Sequence, residues 1–170
     1  MNRTEREAGF ADYVAARRPK LYRTAYLVCG DPHEAEDLVQ TALAKLYVAW
    51  PRVVATGQPD AYVRRVIVNA HLDEIRRPHR RRERSTRDEL LDGPAGDPER
   101  PEDTDELWQA LRALAPGQRV VVVLRHYWGL SVNETAETLG LSPGTVKSQT
   151  SCALERLRAA LDQHHLTTRG

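Results

Sequence analysis

The sequence predicts an all-α protein of two small helical domains joined by a flexible acidic linker, the C-terminal domain containing a helix-turn-helix. Apolar residues recur at helical spacing along almost the whole chain. The exception is DELLDGPAGDPERPED at 88–103, rich in Pro, Gly and acid, which cannot build a core. Charge is divided in the same way. Residues 1–87 carry 17 basic against 11 acidic side chains, 88–106 one against nine, and 107–170 seven against four. A net charge of +1 over 170 residues therefore conceals two basic bodies and an acidic strap. The expected organisation is a helical domain at 6–77, a basic-then-acidic linker at 78–103, a second domain at 104–162 and a tail at 163–170.

Phe10, Tyr13, Val14, Leu21, Ala25 and Val28 predict a first helix over 6–29, kinked or divided at Pro19 and ended by Gly30. Asp31, Pro32 and Glu34 supply an N-cap, a first helical residue and a first-turn carboxylate for the next. Its stripe is Ala35, Leu38, Val39, Ala42, Leu43 and Leu46, and Trp50-Pro51 is expected to close it, leaving 51–60 as a loop. A third helix is expected from Asp60 to Arg77, with Tyr62, Val63, Val66, Ile67 and Ala70 inward. Arg64, Arg65, Asn69 and Asp73 occupy its other faces, and Arg76 and Arg77 begin a basic run.

Leu107, Trp108, Leu111 and Leu114 mark a short helix after the linker. Val120 to Leu124 has strand propensity. Pro116 at a helix start, helices on both sides and no second strand to pair with predict a helix over 117–128 instead. From Ser131 to Arg158 two helices meet at a tight turn. Ser131 and Glu134 form a capping box, Gly140 takes the turn, and Ser142-Pro143 opens the last helix. Ala136 allows close approach and Val146 wedges the helices apart, the helix-turn-helix arrangement whose second helix enters a DNA major groove. Thr145, Lys147, Ser148, Gln149 and Ser151 would face that groove, and the last helix is expected to fray beyond Arg158.

Cys29 and Cys152 match no metal or redox spacing, and the six histidines are scattered, so neither a metal nor a cofactor is expected. No glycine-rich phosphate loop, nucleophile elbow or catalytic dyad is present, which argues against an enzyme and a small-molecule substrate. The absence of a signal peptide or bilayer-length apolar run predicts a protein of the cytoplasm, without membrane insertion.

DPHEAEDLVQTALAKLY with Trp50 behind it, then PDAYVRRVIVNAHLDEIRR and HYWGLSVNETAETLGLSPGTVKS, together resemble the extracytoplasmic-function group of bacterial RNA polymerase sigma factors. The likeness is strongest to the short actinobacterial SigE-family branch and spans roughly 8–77 and 105–160. It implies that Asp37, Leu38, Val39 and Gln40 grip the clamp helices of the polymerase largest subunit. Arg64, Arg65, Asn69, Asp73, Arg76 and Arg77 then belong to the part that melts the −10 element, where arginines hold phosphates while unstacked bases are captured. Thr145, Lys147, Ser148, Gln149 and Ser151 would read the −35 element, in a domain that also contacts the flap of the second-largest subunit.

The resemblance also implies association with the nucleoid when in holoenzyme, an anti-sigma factor as a possible partner, and a linker directed to the RNA exit path. There an acidic strap would mimic transcript phosphates, and neutralising Asp97, Glu99, Glu102 and Asp103 should alter abortive-product yield. Many relatives carry arginine where this chain has Gln149 and Cys152. Gln149 is therefore expected to read an adenine, and Cys152 to leave −35 binding less salt-sensitive. The alternative is a conventional helix-turn-helix regulator that reads duplex DNA as a dimer; an adaptor that binds polymerase without reading DNA is a third.

Overall fold

The computed structural model describes residues 1–80 and 106–169, so the acidic run at 88–103 lies outside the described residues. Every regular element among those described is helical. In chain order they are α1 (Arg3–Cys29), α2 (Pro32–Thr56), α3 (Pro59–Arg80), α4 (Glu106–Leu111), α5 (Pro116–Val122), a π-helical turn (Val123–Tyr127), α6 (Val132–Leu139) and α7 (Pro143–Thr168). The chain divides within α3 into two compact units, Met1–His71 and Leu72–Gly170.

In the first unit α1 starts at an Asn2–Glu5 capping box and ends at Gly30, whose φ of 71° lets its N–H reach the Tyr26 carbonyl. It is one helix, not two. Pro19 leaves the Ala15 carbonyl without its usual donor, and both residues lie on the exposed face, where water can supply one. The Asp31 side chain accepts from the backbone N–H groups of His33 and Glu34 and starts α2 as expected.

Trp50-Pro51 does not close α2, which runs on to Thr56 and ends at Gly57. Pro51 has no N–H for the Tyr47 carbonyl four residues back, and the Arg6 guanidinium donates to that carbonyl in its place, stacked 4.2 Å from the Tyr47 ring. Trp50 is buried beside Phe10 and Tyr13, with ring centroids 5.5 Å away in each case. Packing against α1 thus overrides the local preference of a pre-proline residue. Leu21, Leu27 and Val28 of α1, Val39 and Leu46 of α2, and Val63, Ile67 and Val68 of α3 are fully buried, each contributing about 1.5–3 kcal/mol.

In the second unit, Val120 to Leu124 is helical and buried, but the element is not uniform. After Val122 it widens into the π-helical turn, closed by the Trp128 N–H donating to the Val123 carbonyl at 3.1 Å. Arg119 is buried, donates to the Leu111 and Leu114 carbonyls at 3.1 and 3.3 Å, and lies 4.6 Å over the Trp108 ring. It thereby gives the Leu114 carbonyl a donor beyond the end of α4 and adds a second to the Leu111 carbonyl, which also accepts from the Leu114 N–H at 3.0 Å. α7 does not fray after Arg158 but continues to Thr168, with no Gly or Pro between Gly144 and Thr168 to stop it.

Candidate nucleic-acid interface

Both ends of the helix-turn-helix are set by local hydrogen bonds. Ser131 Oγ accepts from the Glu134 N–H at 3.0 Å while the Glu134 carboxylate accepts from the Ser131 N–H. Gly140 takes a φ of 64° between the helices, and Ser142 Oγ accepts from the Thr145 N–H at 3.1 Å to start α7. Thr135, Ala136, Thr138 and Leu139 of α6 are buried, as are Val146, Thr150 and Ala153 of α7. Lys147, Ser148 and Ser151 are left fully outward on α7. The Ser148 hydroxyl donates back to the Gly144 carbonyl at 3.0 Å, so what it offers outward is an acceptor.

Thr145 and Gln149 are only half-exposed, which departs from the expectation that both face the groove. Thr145 Oγ1 is 2.8 Å from Ser142 Oγ, and Gln149 Oε1 accepts from Gln118 Nε2 at 3.0 Å. Cys152 is likewise half-buried, its sulfur 3.6 Å from the same Gln118 nitrogen.

On α3 the buried face consists of Val63, Arg64, Ile67, Val68, His71 and Leu72. That is one position further round the helix than the stripe expected from the sequence. The structure brings Arg65, Asn69 and Asp73 together at four-residue intervals on another face, Asn69 being half-buried. Arg64 does not join them, being 7% exposed. Nearby, Tyr13 donates to Asp60 at 2.6 Å, and Asp60 also meets Arg17 at 3.1 Å. Burial first, then the bond to Asp60 and its negative charge, push the Tyr13 phenol well above its ordinary value, with Arg17 and Arg64 pulling the other way. Arg76 is half-buried 3.8 Å from Asp73, and Arg77 is exposed 3.3 Å from Glu74.

The α2 set divides too. Asp37 and Gln40 point outward, but Leu38 is 8% exposed and Val39 fully buried, so these two belong to the core and not to the outward face. Lys45 is exposed on the face opposite the apolar stripe, as its spacing predicts, but sequence reasoning missed the other residues that extend this face, Thr41, Ala44 and Val48, the last 77% exposed. Helical spacing counted onward from Asp37 would have found them. The stripe opens into a shallow groove of about 660 Å³ lined by Ala44, Lys45, Val48, Ala49, Pro51, Arg52 and Tyr62. No described helix is long and apolar enough to cross a membrane.

A Sigma-70 region 2 family model matches residues 13–82, and a Sigma-70 region 4 model matches residues 104–157. The chain is 42% identical over 161 residues to the RNA polymerase sigma-E factor of Streptomyces coelicolor, covering 94% of this chain and 90% of that protein. It is 34% identical over 148 residues to the ECF RNA polymerase sigma factor ShbA of Streptomyces griseus subsp. griseus, covering 77% of this chain and 73% of that one. The fold is similar to that of the sigma factor RpoE in its co-crystal structure with the anti-sigma factor NepR from Bartonella quintana. The TM-score is 0.69 at 24% identity, covering 91% of this chain and 97% of that one.

Proposed function

The chain belongs to the extracytoplasmic-function sigma factors of the sigma-70 family, and from that membership we propose which of its faces perform each step of initiation. A sigma factor is an initiation factor, not an enzyme: it binds core RNA polymerase and directs it to promoter DNA. The outward stripe of α2, from Asp37 and Gln40 through Ala44 to Val48, docks on the polymerase clamp helices. The observation that carries this is Val48, a large apolar side chain exposed beside a mostly apolar groove that Lys45 and Arg52 also line, as an interface core with polar residues beside it requires. Arg65, Asn69 and Asp73, with Arg76 and Arg77 beyond them, meet the −10 strand as it opens. Lys147, Ser148 and Ser151 of α7, with Gln149 on their flank, read the −35 element in the major groove, while Arg64 serves only the fold.

Residues 6–77 and 104–162 are the working domains in this reading, and the protein acts in the cytoplasm and at the nucleoid. An anti-sigma partner is proposed by analogy with the Bartonella quintana complex.

Run-off transcription with purified core enzyme on a library of genomic promoters tests the assignment. The chain should create defined start sites that core enzyme alone lacks. Val48→Asp should weaken core binding by about 2 kcal/mol, roughly thirtyfold in Kd. Arg65→Ala should leave core binding intact and slow promoter opening, measured by permanganate reactivity of the −10 strand. Unchanged core affinity in the Val48 variant would place the docking face elsewhere.

A further inference from the structure

Gln118 of α5 has no solvent exposure, yet it carries a full carboxamide into the second unit. Its Nε2 lies 3.0 Å from Gln149 Oε1 and 3.6 Å from Cys152 Sγ, and its Oε1 accepts from Arg156 Nη1 at 2.9 Å. Gln149, Cys152 and Arg156 stand at i, i+3 and i+7, along one flank of α7. Both carboxamide donors and the oxygen are thus engaged by a single helix.

The direction of this chain follows from donor and acceptor chemistry. The two ends of a carboxamide have nearly the same shape, so its orientation is decided by its partners. Arg156 can only donate, so the Gln118 atom beside it is the oxygen. The Gln118 nitrogen then faces α7, and the Gln149 atom it meets must accept, which is Oε1. Gln149 is left with its NH₂ group as its unengaged end, on a side chain that is half-exposed beside Ser148.

Reading adenine bidentately requires a carboxamide that accepts from N6 while donating to N7. Here the accepting atom is held from behind. An outward NH₂ meets complementary partners on guanine, whose O6 and N7 both accept. We propose that Gln118 is a positioning residue for promoter recognition: through this one-way chain it turns Gln149 donor-outward, so that α7 selects guanine at that −35 position. The inference rests on the assignment of α7 as the −35 reader and replaces the adenine contact expected from sequence.

The test uses holoenzyme and a promoter library randomised across the −35 element, with start-site counts as readout. Gln149→Ala should flatten the preference at one position, and in wild type that position should favour guanine over adenine about fivefold or more. Gln118→Glu keeps an acceptor for Arg156 but presents an oxygen to α7. Gln149 should then reverse, and the preference at the same position should pass to bases that donate, cytosine and adenine. A merely structural role would lower yield at all promoters alike without inverting the choice of base. Adenine favoured by wild type, no position flattened by Gln149→Ala, or an unchanged preference in folded Gln118→Glu would each overturn the proposal. If Gln118→Glu fails to fold, the comparison of wild type with Gln149→Ala decides alone. Start sites indifferent to every −35 base would instead overturn the assignment of α7 as reader, and this inference with it.

Discussion

One carbonyl explains why α2 outlasts its proline. Tyr47 loses its donor to Pro51 and regains one from Arg6, a residue 41 positions away in sequence. Replacing Arg6 with Met should cost about 1.5–3 kcal/mol, the range for a hydrogen bond with a charged partner. In a Pro51→Ala background the restored N–H should make Arg6 largely dispensable, so a double-mutant cycle by urea unfolding should show clear coupling. Independent effects would remove the carbonyl as the reason. Tyr13 is the other residue with a measurable signature. The folded chain keeps its phenol protonated where the unfolded chain ionises, near the ordinary value of about 10. The stability this contributes is complete below that pH and declines as pH rises past it, by up to about 1.4 kcal/mol per unit. Tyr13→Phe should flatten this part of the alkaline stability curve, whereas equal slopes would exclude Tyr13 as its source.

The capped helix ends were legible in the sequence because capping is settled within four residues, whereas the helices run past the uncapped ends expected at Trp50-Pro51 and Arg158. Asp31, Ser131, Ser142, Gly30 and Gly140 all do what their side chains or their freedom of φ suggested. The widened turn at Val123–Tyr127 had no such signal, since nothing in VLRHY distinguishes a π-helical turn from an ordinary one. For α7 the prediction concerns charge. Lys147→Ala should lower the slope of log affinity against log salt for promoter binding by about 0.9, one phosphate contact. Cys152→Arg should raise it by a similar amount, with the new side chain turning from Gln118 toward the backbone. A slope that stays put in the second variant would mean no phosphate lies within reach of that flank.

For the whole molecule the relevant fact is that two basic stretches, 1–87 and 107–170, are separated in sequence by an acidic run. If that run occupies the path of the nascent transcript, changing Asp97, Glu99, Glu102 and Asp103 to their amides should lower the yield of abortive products. An unaltered ladder of short RNAs on a strong promoter would count against it. The all-α class, the helix-turn-helix and the family were determined by sequence alone, because spacing and caps are local and repeat along the chain. Only the tertiary structure decided which polar and apolar residues serve the surface. Leu38 and Val39 lie in the core, Arg64 is on the buried face of α3, and Gln149 is held from behind by Gln118. The physical reason is that each residue turns a helix by about 100°, so periodicity locates a face only to within one position. Whether a side chain on its margin points outward depends on donors and acceptors that a different helix brings to it.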